Sequence, residues 1–205
     1  MTYKTPLTHA KNHLIAATML GLGLMALSAC SSAPARDADI FYDLRPEIAD
    51  VTFGSDKIVK VQSVSIKGLQ SGRPLVIENG QAPVQFQDLR GHLWHESPAS
   101  LIETALVDAM MKASQDVTFG TSDTVDNEDY RLKLVISKFH FQPGKTAHLA
   151  FDAVVKDKRG KIVSTTRYDL VEPINGTDTA QAVAALEVAL TKAITAIAGD
   201  IANAL

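Results

Sequence analysis

Residues 130–141 read YRLKLVISKFHF, and this stretch decides the fold. Apolar side chains occupy every second position from Tyr130 to Ile136, and basic side chains stand between the first of them. This period of two predicts a strand that buries one face. The apolar phase then slips to Phe139 and Phe141, which predicts a bulge near the end of the strand.

Two further strands are expected to continue from this one as a meander. Pro143-Gly144 forms the turn after the first strand, and residues 147–155 again place apolar side chains on one face. The loop at 157–160 then returns the chain along residues 162–171. Strands joined by such short turns pair antiparallel, and an antiparallel sheet commonly buries one face only. The sequence therefore predicts a sheet with one face free to receive other elements.

Earlier segments supply more strands. Residues 57–66 are rich in β-branched side chains, which favours a long strand. Asn79-Gly80 lies between the apolar segments 75–78 and 83–86, and this dipeptide favours a hairpin turn. A short edge strand is expected at residues 40–44, and another short strand at 117–119. After the hairpin, a further short strand is expected to continue to Trp94.

Two amphipathic helices are expected to cover the buried face of the sheet. Ser97-Pro98 starts the first, because a hydroxyl caps the helix and proline is favoured at the first helical position. Asp178 opens the second, which is rich in alanine and runs to the final residue. The fold class is therefore α+β, a two-layer domain with a mainly antiparallel sheet and both helices packed on one face. Apolar residues recur at steps of three and four, at Leu101, Ile102, Ala105, Leu106, Ala109, Met110 and Ala113, and at Val183, Leu186, Leu190, Ile194, Ile197, Ile201 and Leu205.

The beginning of the chain has the pattern of an export signal. Residues 1–13 carry Lys4 and Lys11 and no acidic residue, and an apolar run follows at 14–29. A basic region, a short apolar region and small residues at its end are typical of a secretory signal peptide. A spanning helix needs about 20 apolar residues, so this run is expected to be removed rather than retained.

The run ends in Leu27-Ser28-Ala29-Cys30, which contains the only cysteine of the chain. These four residues resemble the lipobox of bacterial lipoproteins. The resemblance implies that fatty acids such as palmitate are attached to Cys30, which becomes the new N-terminus after cleavage between Ala29 and Cys30. The alternative is an ordinary signal peptide in which Cys30 is incidental. A single cysteine also excludes an intramolecular disulfide.

The lipobox divides the chain into three parts. Residues 1–29 are the cleaved signal peptide, 30–39 the acylated cysteine and a flexible tether, and 40–205 a single domain. By resemblance to lipoproteins of enterobacterial type, Ser31 in place of an aspartate implies the outer membrane, with the domain facing the periplasm. The inner membrane is the alternative. The net charge of −3 argues against a nucleic-acid partner.

Candidate chemistry is sparse. His92, His95 and Glu96 have the spacing of a partial metal site, but they precede the first helix, so a solvated loop is the expected role. His140 and His148 are expected to approach each other across a turn, on the wet face of the sheet. The sequence therefore predicts no catalytic residue, no metal site and no cofactor. An acidic loop with Asp123, Asp126, Glu128 and Asp129 lacks the spacing of a calcium loop and is expected to be solvated.

Three aromatic residues leave two interpretations open. Trp94 is either a core anchor beside the first helix or, if exposed, a hot spot for docking a partner. Phe41 and Tyr42 carry the same ambiguity.

The chain resembles the family of ABC-type transport auxiliary lipoproteins. The resemblance is carried by the order of elements and by three short motifs, FYDL at 41–44, WHESP at 94–98 and DKRGKIV at 157–163. The family has a tryptophan, a small residue, a glutamate and one or two prolines at the second motif, from which His95 and Ser97 depart.

This resemblance implies a non-enzymatic, periplasm-facing lipoprotein that accompanies an ABC system for lipid or phospholipid transport between the two membranes. The implied partners are a protein with mammalian-cell-entry domains and an ABC permease and ATPase, with phospholipid as a further expected ligand. The alternative is a structural or regulatory envelope lipoprotein, such as an assembly factor or an activator of cell-wall synthesis.

Overall fold

The structure is a computed structural model, and it describes residues 38–204 of the chain. Residues from Asp39 onward form one compact unit. The expected signal peptide, the lipobox, Cys30 and most of the expected tether lie outside the described residues, as does Leu205.

Within residues 38–204, eight strands and two helices follow one another, with a short 3-10 turn after the second strand. The elements are β1 (Ile40–Tyr42), β2 (Lys57–Ile66), β3 (Pro74–Glu78), β4 (Phe86–Trp94), α1 (Pro98–Ala113), β5 (Val117–Thr121), β6 (Tyr130–Gln142), β7 (Thr146–Asp157), β8 (Ile162–Pro173) and α2 (Thr179–Ala204). Most of the strands and helices expected from the sequence form where the patterns place them, and the segment at 83–86 is the exception.

The long strand β6 is the centre of a single mixed sheet. One of its edges pairs antiparallel with β7, which pairs antiparallel with β8. Its other edge receives β2 in parallel over residues 130–136 and β3 near Phe141. The β3–β4 hairpin is antiparallel, whereas β1 and β5 pair in parallel with β4 and β2. The expected meander is thus confirmed, and parallel pairings surround it.

The bulge expected in β6 is also present. The register with β7 shifts between Ile136 and Lys138, so the pairing of Ile136 with Phe151 is followed by that of Lys138 with Ala150. Because of this shift, Phe139 and Phe141 return to the buried face. Their neighbour His140 therefore points to the opposite face of the sheet.

Both helices pack on one face of the sheet, which confirms the α+β two-layer fold. Helix α1 lies against β2 and β5, and α2 lies against β7 and β8. Ser97 accepts a hydrogen bond from the amide of Ser100 and so caps α1. Asp178 caps α2 in the same way through the amide of Ala180. These side chains satisfy amides that have no partner within the helix.

Helix α2 is apolar and 26 residues long, which is long enough to cross a membrane by length and composition. It is, however, a core helix, because eleven of its residues are buried, from Ala182 to Ile201. Five of the eleven are alanines, which let its backbone approach the sheet closely. The buried stripe follows the apolar period predicted for this helix.

The hairpin between β3 and β4 differs from its prediction. Its loop spans residues 79–85, so the segment after Gly80 belongs to the loop and β4 begins only at Phe86. The side chain of Asn79 folds this loop, since its Oδ1 accepts hydrogen bonds from the amides of Gln81 and Gln85. The dipeptide therefore opens a wider loop instead of forming a two-residue turn.

Candidate functional site

The first candidate surface lies at the edge of the sheet where the described chain begins. β1 pairs with β4 so that Phe41 lies beside Leu93 and Tyr42 beside Trp94. The structure thus brings together the three aromatic residues singled out in the sequence. Residues paired across two strands point to the same face of the sheet, so Tyr42 and Trp94 share one face. Phe41 points to the opposite face, because successive residues of a strand alternate between the two faces.

Trp94 belongs to the core. Its side chain is 2% exposed, and its ring stacks on that of Phe139 at a centroid distance of 5.1 Å. An indole so deeply covered presents no surface to a partner. Trp94 is therefore a core anchor and not a docking residue. Tyr42 is half-buried, and its hydroxyl lies 2.9 Å from Nδ1 of His92. Burial, and then the charge of Asp178, raise the pKa of Tyr42 above its ordinary value.

Phe41 is exposed, at 52% of its surface, and Ile40 beside it is similarly exposed. The guanidinium of Arg73 lies over the Phe41 ring, 5.4 Å from its centroid. Arg73 is itself held by the backbone, because its Nε donates to the carbonyl of Trp94 and its Nη2 to that of His95. We name Ile40, Phe41 and Arg73 the β1 patch. It offers a partner an apolar surface with a fixed cation beside it.

A polar groove of about 600 Å³ lies between the segment after β1 and helix α1. Its walls carry charges of both signs, and the backbone of Arg45 is held there because its amide donates to Glu187 of α2. Such a lining suits a polar segment of another protein better than an acyl chain, since sites for apolar ligands are lined mainly by apolar side chains. The charged lining residues are Asp43, Arg45, Glu47, Glu96, Asp108 and Lys112.

The described residues leave little space at one point between the helices and the sheet. The cavity there measures about 10 Å³ and is lined by apolar side chains of α1, β6, β7 and α2. A ligand of drug size needs a pocket of about 300 Å³ or more. The two layers therefore leave no room for a lipid chain at this place.

A cluster of three polar residues lies on the opposite face of the sheet, away from the helices. His140 and His148 face each other on β6 and β7, and their rings stack with centroids 5.0 Å apart. Their expected approach is confirmed, but the wet surroundings are wrong for His140, which is 3% exposed. Glu78 of β3 joins them, since Nε2 of His140 lies 3.0 Å from its Oε2.

The sequence did not point to Glu78, because the contact joins residues 62 positions apart through the short pairing of β3 with β6. Burial, together with the charge of His148, lowers the pKa of His140 below its ordinary value. The hydrogen bond that Nε2 of His140 donates to Glu78 raises this pKa and so opposes the effect of burial. The desolvated imidazole is therefore held in its neutral form near pH 7.

The other residues with candidate chemistry lie apart from this cluster. His92 forms a hydrogen bond with Tyr42, and His95 lines the polar groove. In the acidic loop Asp123 and Asp126 are exposed, whereas Glu128 is 9% exposed and forms ion pairs with Lys60 and Arg131. The expectation of a wholly solvated loop is therefore wrong for Glu128.

Comparison with known proteins gives one family. The family described as "ABC-type transport auxiliary lipoprotein component" matches residues 42–198. Curated proteins yield no match. The matched range contains every described strand and helix except the start of β1 and the end of α2.

Solved structures share the fold. A crystal structure of an uncharacterized protein superposes with a TM-score of 0.69 at 13% identity, covering 80% of this chain and 99% of that one. Protein XCC0632 from Xanthomonas campestris gives a TM-score of 0.69 at 18% identity, covering 78% of this chain and 93% of that one. At these identities the likeness extends to the fold alone.

Proposed function

The chain belongs to the family of ABC-type transport auxiliary lipoproteins, and from that premise we propose that it is a non-enzymatic accessory component of a lipid-transporting ABC system. The system moves phospholipid or similar apolar molecules between the inner and outer membranes. Its other components are a protein with mammalian-cell-entry domains, a permease and an ATPase. The observation that carries the proposal is the family match over residues 42–198.

In this proposal Cys30 is the anchor. Cleavage after Ala29 makes Cys30 the first residue, and fatty acids attached to it hold the domain at the outer membrane, facing the periplasm. Each buried methylene of such a chain contributes about 0.8 kcal/mol, so several chains give lasting attachment. β1 begins ten residues after Cys30, which places it within about 35 Å of the bilayer.

The described domain is suited to docking a protein. The interior holds a cavity of about 10 Å³, which argues against carriage of lipid between the layers. The β1 patch instead offers exposed apolar side chains beside a fixed cation, at an open sheet edge next to the tether. We assign this patch to the protein with mammalian-cell-entry domains, which must pass close to the same membrane. Phe41 is its central residue, and Tyr42 supports it from the inner face.

Affinity capture from detergent-solubilised membranes tests the proposal. Tagged protein should recover a protein with mammalian-cell-entry domains together with the permease or ATPase. The Phe41→Asp variant should recover several-fold less, because a charge replaces the exposed ring, while the domain stays folded. Ile162→Asp is the matched control, since Ile162 is also an exposed apolar residue on a strand.

Two results would contradict the proposal. Recovery of cell-wall synthases or an assembly machine without any transport protein would favour a structural or regulatory envelope lipoprotein. Equal recovery by the Phe41→Asp and wild-type proteins would remove the β1 patch as the docking surface, while leaving the transport role intact.

A further inference from the structure

Three strands bring two imidazoles and a carboxylate to one point on the outer face of the sheet. Glu78 lies on β3, His140 on β6 and His148 on β7. One ligand atom from each residue lies within 4.8 Å of those from the other two. Because the residues sit on paired strands, the sheet itself fixes their spacing. This arrangement is independent of the docking role proposed above.

We propose that Glu78, His140 and His148 form a binding site for a divalent transition metal ion, with zinc as the expected occupant. Zinc is bound by neutral imidazole and carboxylate at about 2.0–2.2 Å, and three protein ligands with an open fourth position are a common arrangement. Calcium and magnesium prefer all-oxygen sites, so two histidines select against them.

The geometry is close to what a bound ion requires. Ligands at tetrahedral angles and bonds of about 2.1 Å stand roughly 3.4 Å apart, and Nε2 of His140 already lies 3.0 Å from Oε2 of Glu78. The rings of the two histidines are nearly parallel, with an angle of 12° between their planes. Because the lone pairs of stacked, parallel rings are also parallel, at least one ring must rotate about its side-chain bonds to direct its nitrogen towards an ion shared with the other two ligands.

The surroundings hold the three ligands in place. Nε2 of Gln142 donates to Oε1 of Glu78 at 2.7 Å, and the hydroxyl of Thr146 lies 2.9 Å from Nε2 of His148. The Phe86 ring meets His140 edge-on at a centroid distance of 4.9 Å, which shields it from water. Residues that orient ligands and an apolar cover are features of metal sites in proteins.

The loop between β3 and β4 contacts Gln142 beside the cluster. Gly80 has a φ of 64°, a left-handed conformation that favours glycine. A Cβ at this position would stand 3.5 Å from Oε1 of Gln142, which in turn orients Glu78 through its Nε2.

Titration with Zn²⁺ tests the site. The full-length lipoprotein, purified in detergent and stripped with a chelator, should bind one Zn²⁺ per chain. Bound Co²⁺ should show the visible absorption of a four-coordinate ion, and Mg²⁺ should not compete. Zn²⁺ should also raise the melting temperature, because a ligand that binds only the folded state stabilises it.

Two variants and a control distinguish a specific zinc site from weak binding to other histidines of the chain. His148→Ala should weaken Zn²⁺ binding by more than about 100-fold, since loss of a residue that only orients a ligand costs about 10–100-fold. Glu78→Gln should also weaken binding and abolish the shift in melting temperature. Both positions are half-buried, so these variants are expected to fold. His95→Ala should bind Zn²⁺ like the wild type.

Failure to bind one Zn²⁺ per chain would overturn the proposal. So would wild-type affinity in the His148→Ala variant, or equal competition by Mg²⁺. In each case the cluster would be a hydrogen-bond network only.

Discussion

At the residue scale, Glu128 shows how the loop before β6 is attached to the sheet. Its Oε2 lies 2.6 Å from Nζ of Lys60 on β2, and its Oε1 lies 2.5 Å from Nε of Arg131 on β6. The hydrogen bond from Lys60, and then that from Arg131, lower the pKa of Glu128 from 4.5 to about 2. The carboxylate thus joins the paired strands β2 and β6 at the point where β6 leaves the loop.

This lowered pKa predicts a dependence of stability on pH. Because the folded pKa lies below the unfolded one, the contribution of Glu128 is fully present above about pH 4.5 and is lost as the pH falls towards 2. Glu128→Gln should therefore lower the urea midpoint at pH 7, and the difference from wild type should shrink near pH 2. Asp126→Asn, in the same loop but exposed, is the control. A difference that stays constant between pH 7 and pH 2 would show that the ion pairs do not act this way.

Single residues also mark the limits of inference from sequence. The sequence left Trp94 open between core and docking surface, because an indole suits both, and only the stacking on Phe139 decides between them. The alternation of apolar residues along β6 predicts that His140 lies on the solvent-exposed face of the sheet, yet Phe86 of β4 covers its ring. Alternation within one strand shows which face a residue points to. It does not show whether a residue from another strand covers that face.

At the scale of elements, the alanine face of α2 sets the distance between the helix and the sheet. Ala189 and Ala193 are both almost fully buried, and the helix lies against β7 and β8. Polar contacts also join α2 to β8, since Asp200 of the helix accepts hydrogen bonds from the hydroxyls of Thr166 and Tyr168 on the strand. Close approach and these contacts together hold α2 in one position.

Enlarging one of these alanines should therefore destabilise the domain. Ala189→Leu adds three carbon atoms to a filled contact, and overpacking of this kind typically costs about 1–3 kcal/mol. Val188→Leu is the matched control, because Val188 is exposed on the same helix, and it should change stability by less than about 0.5 kcal/mol. Urea unfolding at equilibrium measures both. Equal midpoints for the two variants would show that α2 is not closely packed at Ala189.

The elements that the sequence predicted are those with local signals. Periodicity defined β6, β7 and both helices, and the caps at Ser97 and Asp178 marked where the helices begin. The parallel pairing of β2 with β6 left no such signal, since it joins segments about 70 residues apart. The loop at 79–85 was also missed, because its shape depends on hydrogen bonds to the side chain of Asn79.

At the scale of the whole molecule, the described domain has two layers, and its candidate sites lie on the outside. The β1 patch and the polar groove lie near the start of the domain, and the cluster around His140 lies on the face away from the helices. The family match identifies a transport auxiliary lipoprotein, a family without known catalytic activity.

The location and the role proposed for the protein both depend on a lipid anchor at Cys30. Mass spectrometry of the mature N-terminus tests this anchor most directly. Protein extracted from membranes should lack residues 1–29 and begin with Cys30 carrying fatty-acyl groups. A Cys30→Ser variant should keep its signal peptide and carry no lipid. A mature chain that starts at any other residue, or at an unmodified Cys30, would contradict the account.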